Sequence, residues 1–128
     1  MTIVTDTSIL IEHLRGNPRA HAAVAGAFRD GHRVVASVLS RLEVLAGMRD
    51  SEEPDTWRLL GLFEWISVNP VLADAAGEMA RKYLRSHPGV DPVDFVIAAT
   101  TQELGAELWT RNLKHFPMLS ASARDPLV

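Results

Sequence analysis

Four acidic residues and one asparagine have types and positions that could do chemistry together: Asp6, Glu43, Asp91, Asp94 and Asn112. Asp6 follows a short β-prone run and precedes an apolar-periodic segment typical of a helix, so it stands at a strand-to-helix junction. In a parallel α/β sheet this junction lies at the carboxyl edge, where ligands bind. An Asp in this place is equally suited to cap the helix through its side-chain oxygen.

Glu43 lies inside a segment, residues 37–48, whose pattern predicts a helix with Ser37 as its cap. Its neighbours at helical spacing are small or apolar, which places Glu43 at the border of the face that packs inward. An ionised carboxylate there is costly unless something compensates it. The alternative is a Glu43 that is rotated to solvent or paired with an Arg.

Asp91 and Asp94 stand three residues apart at the start of a mostly apolar helix, so they project from one face of its first turn. Asp91 suits the capping position because Pro92 follows it. Asp94 either complements the helix dipole or belongs to a site. Asn112, two residues beyond the last predicted strand, is either a turn residue or a ligand.

Most of these side chains fall at one kind of location, the carboxyl edge of the predicted sheet, with Glu43 within reach. Carboxylates gathered without a neutralising cation repel one another, and a hard divalent cation removes that repulsion. Oxygen ligands without a thiol or a His cluster favour Mg²⁺ or Mn²⁺ over Zn²⁺. Such ions activate water for phosphodiester hydrolysis.

The elements that must position these residues are short strands alternating with helices. This order predicts an α/β fold in which a central parallel sheet of four to five short strands is flanked by helices on both faces. Strands are predicted at residues 3–5, 33–36, 65–68 and 107–110. Helices are predicted after Asp6 and at residues 19–29, 37–48, 56–63, 72–85 and 91–104. Residues 51–55 are predicted to form a polar loop, and residues from 111 onward turns and an irregular tail.

Composition limits the class of protein. The 128 residues predict a single domain over residues 1–128, and the 47% hydrophobic content fits a folded protein with a real core. Without Cys there is no disulfide, thiolate metal site or cysteine nucleophile. No apolar run has the length of a membrane span, so we expect a cytoplasmic protein. The net charge of −3 excludes binding of nucleic acid by overall charge alone, although an acidic site that holds cations still allows a nucleic-acid substrate.

Three blocks of sequence carry a family resemblance that covers nearly the whole chain. They read IVTDTSILIEHL, SVLSRLEVLAG and VDFVIAATTQELGAELWTRNLKHF. With these blocks the chain resembles the PIN-domain ribonucleases, and among them the VapC-type toxins of bacterial and archaeal toxin–antitoxin pairs. The resemblance implies a PIN-like three-layer fold.

The resemblance also implies roles for individual residues. Asp6, Glu43 and Asp94 match the three acids of the family that position the metal ion. Asn112 matches a fourth catalytic position that is often acidic, and it brings an oxygen but no charge. Asp91 falls outside the motif and is either a cap or a residue that supports the metal ligands from behind. Two hydroxyl residues match positions that orient the acids: Ser8 and Thr110.

The function that the resemblance implies is metal-assisted hydrolysis of RNA, with Mg²⁺ or Mn²⁺ as cofactor. It further implies a homodimer and a cognate VapB-type antitoxin that inserts a C-terminal segment into the acidic groove. Arg111, Lys114 and His115 flank the site and either meet phosphates or are ordinary surface charges. The apolar, Trp-bearing residues 56–65 are either a partner-binding surface or core.

Two other interpretations compete with the ribonuclease. Aspartyl-phosphate phosphatases and receiver domains also place an Asp after the first strand, but the phosphatases carry a second Asp where this chain has Ser8, and receivers need an adjacent acidic pair that is absent here. The non-enzyme alternative is an inert PIN-like module that binds RNA or protein. Intact Asp6, Glu43 and Asp94 argue against it.

Overall fold

A single five-stranded parallel sheet forms the centre of the molecule, in the spatial order β3-β2-β1-β4-β5. The computed structural model describes all 128 residues. The strands are Thr2–Thr5 (β1), Arg33–Ser37 (β2), Glu64–Ile66 (β3), Glu107–Trp109 (β4) and Ala123–Arg124 (β5). The helices are Thr7–Leu14 (α1), Pro18–Arg29 (α2), Val38–Ala46 (α3), Glu53–Leu60 (α4), Pro70–Tyr83 (α5) and Pro92–Glu103 (α6). Short 3₁₀ turns cover Asp50–Glu52, Leu113–His115 and Ser120–Ser122. None of the helices combines the length and the apolar character needed to span a bilayer.

Alternate residues of the central strands face two separate cores. Ile3 packs with α1, α2, α3 and α4 on one face, whereas Val4 packs with α5 and α6 on the other. This alternation follows from the two-residue period of a strand, and it makes the near-continuous apolar runs typical of a sheet buried on both faces. The predicted three-layer α/β arrangement is therefore confirmed, with five strands.

Side-chain caps fix where the helices start, and at α3 and α6 they are the residues that the sequence indicated. Ser37 accepts a hydrogen bond from the Leu39 N–H at 3.2 Å at the start of α3, and Asp91 caps α6. Asn69 caps α5, so this helix begins with Pro70, two residues before the predicted start. Capping oxygens satisfy backbone donors that the first turn leaves free.

The structure departs from the prediction at α4 and at the C-terminus. The helix α4 begins at Glu53, inside the predicted loop, because Pro54 is compatible with the first turn of a helix and the acidic residues there complement the helix dipole. The third strand is Glu64–Ile66, earlier and shorter than predicted. The predicted irregular tail contains β5, which pairs with β4. A strand of two residues is too short to show a period in the sequence.

Candidate active site

Asp6 lies at the middle of the carboxyl edge of the sheet, directly after the central strand β1. Its backbone N–H continues the ladder to the Trp109 carbonyl at 2.9 Å, so β4 still accompanies the chain at this residue. Thr110 follows β4 at the same edge. The first turn of α3 begins at this edge because α3 directly follows β2. The first turn of α6 lies near it, since the charge of Asp6 acts on Asp94.

Both oxygens of the Asp6 carboxylate accept hydrogen bonds. Oδ1 accepts the Thr7 N–H at 2.8 Å, which is the capping contact, and Oδ2 accepts the hydroxyls of Ser8 at 2.9 Å and Thr110 at 2.7 Å. Asp6 is only 4% exposed. The capping interpretation and the site interpretation of Asp6 are therefore compatible, since one carboxylate can serve both.

Two backbone groups fix the direction of these hydroxyl protons. The Arg111 N–H donates to Ser8 Oγ at 3.0 Å, and the Asn112 N–H donates to Thr110 Oγ1 at 2.9 Å. Each hydroxyl accepts on one side and donates its proton on the other. Asp6 is consequently immobilised by three neutral donors, and no cationic side chain of the protein pairs with it.

Glu43 projects from α3 towards the first turn of α1. Its Oε1 atom lies 2.7 Å from the Thr7 hydroxyl, and the side chain is half-buried. Glu43 also lines a groove between α1, α3 and α4, together with apolar side chains, Arg15, Arg49 and a second acid, Glu52. The solvent-rotated and Arg-paired alternatives for Glu43 are both wrong.

Asp94 is buried in the first turn of α6 and forms a reciprocal capping box with Asp91. The Asp94 N–H donates to Asp91 Oδ1 at 3.1 Å, and the Asp91 N–H donates to Asp94 Oδ2 at 3.3 Å. Burial and the negative charge of Asp91 raise the pKa of Asp94 to about 6; Asp6 adds to the rise, while the Asp91 N–H and His115 oppose it. Asp91 is thus the cap that the sequence indicates, and Asp94 senses the charge of Asp6.

The candidate site residues that follow β4 differ in exposure and in their partners. The Asn112 side chain is exposed and makes no hydrogen bond, so the structure does not join it to the acids; only its backbone N–H reaches the site, at Thr110. Arg111 pairs with Asp125 at 3.0 Å, and His115 Nδ1 lies 3.4 Å from Asp94 Oδ2. Of the three cationic candidates only Lys114 is exposed and unpaired.

Residues 56–65 divide between core and surface. Leu59, Leu60 and Phe63 are buried in the core of the α1–α4 face. Trp57 is 47% exposed, and the Arg41 guanidinium lies over its ring at 5.6 Å from the centroid. Four of the ten residues are buried and five are exposed, among them Trp57 and Leu62, so each of the two interpretations holds for part of the segment.

The structure brings Asp6 and Asp94 into mutual electrostatic contact and links Glu43 to the same turn through Thr7. No three Asp, Glu or His side chains come close enough together to enclose an ion by themselves. This donor set suits Mg²⁺, which binds through one or two carboxylates and keeps several of its waters. Asp6 Oδ1 accepts a single hydrogen bond and Glu43 Oε2 accepts none, so both atoms retain lone pairs for a ligand.

Sequence reasoning missed two hydroxyl residues of this site, Thr7 and Ser40. Ser40 lies three residues before Glu43 on one helix face, and Thr7 lies directly after Asp6. The helical spacing places Ser40 beside Glu43. The contacts of Thr7 with Ser40 and Glu43 depend on how α1 packs against α3, which no local pattern encodes.

Comparisons with known proteins agree with this architecture. The sequence matches the family model for the PIN domain over residues 3–117. Among curated proteins of Mycobacterium tuberculosis, it is 42% identical over 113 residues to ribonuclease VapC19, in a match that covers 88% of this chain and 90% of the relative. It is 40% identical over 116 residues to ribonuclease VapC10, in a match that covers 91% of this chain and 86% of the relative.

Solved structures with a similar fold come from toxin–antitoxin complexes. A complex from Klebsiella pneumoniae superposes with a TM-score of 0.80 at 26% identity, covering 97% of each chain. VapBC-1 from nontypeable Haemophilus influenzae superposes with a TM-score of 0.78 at 21% identity over the whole of both chains.

Proposed function

The chain belongs to the PIN-domain family, and from that premise we propose that it is an endoribonuclease, the toxin of a toxin–antitoxin pair, that hydrolyses RNA phosphodiesters with Mg²⁺ or Mn²⁺. One observation carries the proposal. Two buried carboxylates, Asp6 and Asp94, lie near enough at the carboxyl edge of a parallel sheet for the charge of Asp6 to raise the pKa of Asp94, and no cationic residue neutralises Asp6. The names of the curated relatives, ribonucleases VapC19 and VapC10, support the same activity.

Asp6 and Asp94 would hold the ion, with Glu43 as the third acid. When bound, a divalent ion of this kind lowers the pKa of water and stabilises the leaving oxygen of a phosphodiester. The hydroxyls of Ser8 and Thr110 hold Asp6 in one orientation, which removes the cost of ordering it when a ligand arrives. The chain has no Cys, and no residue of the site is left over as a covalent nucleophile.

The partners proposed are RNA, a VapB-type antitoxin and a second copy of the chain. The groove beside Glu43 supports the antitoxin, because its apolar side chains, two arginines and two glutamates suit a peptide that carries apolar side chains and charges of both signs. An apolar groove between α5 and α6, lined by residues that include Ala76 and Ala80, supports a homodimer. Light scattering of the purified chain measures its oligomeric state directly.

The experiment that tests the activity is cleavage of a mixed cellular RNA pool by the purified chain in EDTA, Mg²⁺ or Mn²⁺. We expect cuts that need the metal ion and that disappear in both Asp6→Asn and Asp94→Asn. Asp74→Asn is the matched control, because Asp74 is an exposed acid in α5. Cutting that survives in both site variants would contradict the assignment, and Mn²⁺ binding without any cutting would favour an inert binding module.

Folding of the Asp6→Asn variant has to be measured beside its activity. An Asn amide presents N–H groups on one side, where they oppose either the Thr7 N–H or the two hydroxyl donors. We expect this mismatch to lower the free energy of unfolding by about 1–2 kcal/mol while the chain still folds. Urea unfolding in EDTA gives this value, so that loss of activity is not mistaken for loss of structure.

A further inference from the structure

Thr7 contacts two of the acids at once, through two different groups. Its backbone N–H donates to Asp6 Oδ1 at 2.8 Å, and its hydroxyl lies 2.7 Å from Glu43 Oε1. Thr7 is 9% exposed and stands at the first position of α1, whereas Glu43 belongs to α3. A single buried residue therefore sets where the Glu43 carboxylate lies relative to Asp6.

The direction of the Thr7 proton follows from the chemistry of its neighbours. The hydroxyl also lies 2.9 Å from Ser40 Oγ, and it has one proton for two neighbours. A carboxylate can only accept, so Thr7 donates to Glu43 and accepts from Ser40. Ser40 is fully buried and its side chain makes no other hydrogen bond, so its hydroxyl donates to Thr7 Oγ1.

We propose that Thr7 is a positioning residue for Glu43. Ser40 orients the Thr7 hydroxyl, and this hydroxyl holds Glu43 Oε1 so that Oε2 faces the metal ion. The inference rests on the proposed function. A free Glu side chain samples many rotamers, and ordering it on binding costs free energy that a pre-formed hydrogen bond removes. Hydrogen-bonded partners that orient a metal ligand in this way typically contribute one to two orders of magnitude in metal affinity or activity.

The variants separate the hydroxyl from the shape of the side chain. Thr7→Val keeps the size and branching and removes the hydroxyl, and Thr7→Ser keeps the hydroxyl. Ser40→Ala removes the hydroxyl that orients the Thr7 hydroxyl. The double variant Thr7→Val/Glu43→Gln shows whether Thr7 acts through Glu43. Thermal unfolding of each variant in EDTA reports whether it folds.

The readout is Mn²⁺ affinity of the RNA-free protein by calorimetry, followed by RNA cleavage as a function of Mn²⁺ concentration. We expect Thr7→Val to weaken Mn²⁺ binding about tenfold, with a matching shift in the concentration for half-maximal cleavage. Thr7→Ser is expected to restore both, and Ser40→Ala to cause a smaller loss. In the Glu43→Gln background, Thr7→Val is expected to change Mn²⁺ affinity no further.

Two results would overturn the positioning role alone. One is a Thr7→Val chain that binds Mn²⁺ as the parent does while Glu43→Gln binds it more weakly. The other is a loss of affinity of the same size in the Glu43→Gln background. If Asp6→Asn and Glu43→Gln both leave Mn²⁺ binding unchanged, the proposed function fails together with the inference. Should Thr7→Val not fold, Thr7→Val/Ser40→Ala, which leaves no buried hydroxyl unpaired, replaces it in the same comparisons.

Discussion

Asp6 and Glu43 are held by neutral hydrogen bonds and not by ion pairs. Asp6 accepts from one N–H and two hydroxyls, and Glu43 accepts from Thr7. A salt bridge would satisfy these carboxylates just as well, but it would neutralise the charge that an incoming cation needs. Neutral donors fix the geometry and leave the charge in place.

Asp94 is expected to reduce the stability of the metal-free fold. Its pKa is raised from 3.8 to about 6, so between these pH values the folded chain keeps a proton that the unfolded chain has lost. Stability contributed by Asp94 therefore falls as pH rises through this window, and the loss is complete above it. We expect Asp94→Asn to raise the Tm in EDTA at pH 7.5 and to leave it nearly unchanged at pH 4.

The amide oxygen that Asp94→Asn introduces can still accept the Asp91 N–H, so the capping box does not confound this comparison. Asp74→Asn, on the exposed face of α5, again serves as the control. A lower Tm for Asp94→Asn at pH 7.5 would show that the carboxylate makes contacts that outweigh its burial. Scanning calorimetry at the two pH values is sufficient.

At the scale of elements, the sequence predicts the strands and helices that carry strong local signals. Pro18, Ser37 and Asp91 mark helix starts through caps and first-turn chemistry, and the structure confirms them. The start of α4 and the strand β5 were not predicted. A polar, proline-bearing stretch resembles both a loop and a helix N-terminus, and β5 is defined only by its pairing with β4.

The C-terminal segment is an integral part of the fold. Leu127 is 3% exposed and packs in the core formed with α1 and α2, and its carbonyl accepts a hydrogen bond from Arg19 at 3.1 Å. We expect Leu127→Ala to lower the free energy of unfolding by about 2–4 kcal/mol because it opens a cavity there. Val128→Ala, at a residue that is 90% exposed, is the matched control. Urea unfolding that does not distinguish the two variants would refute this role of the segment.

At the scale of the whole molecule, two residues on opposite faces of the sheet, Asp94 and His13, change stability with pH in opposite directions. On the α1–α4 face, the His13 ring stacks on His21 with centroids 3.8 Å apart, and Asp55 and Arg58 line the same groove. Burial and then the charge of His21 lower the pKa of His13. The unfolded chain therefore takes up a proton at His13 before the folded chain does, so stability from His13 is present above its ordinary pKa of 6.5 and is lost as pH falls below it.

We expect the Tm in EDTA to decrease less steeply for His13→Gln than for the parent chain as pH falls from about 7 to about 5. In part of this pH range Asp94 changes the Tm in the opposite direction, so the two chains are best compared in an Asp94→Asn background. Buried His13 Nδ1 has no hydrogen-bond partner, so the substitution leaves no protein group unpaired there. Parallel pH profiles for the two chains would contradict the assignment to His13.

The site as a whole was predictable only in part. Asp6, Glu43 and Asp94 stood out as candidates because of their places along the predicted elements, and the family resemblance then selected them. The sequence did not predict the pairing of Arg111 with Asp125 or the contact of Thr7 with Glu43. Each of them joins elements whose relative placement is set by packing. Spacing along one element is encoded locally, but contact between elements is not.

The strand order has a consequence for how the chain is made. Synthesis delivers β1 first, yet β1 occupies the middle of the sheet, and β4, one of its two neighbours, is residues Glu107–Trp109. The Thr110 hydroxyl that holds Asp6 is delivered only after β4. A nascent chain that has not yet reached Thr110 therefore contains the first acid without the strand or the hydroxyl that fix it. The site can therefore form only after Thr110 has been translated.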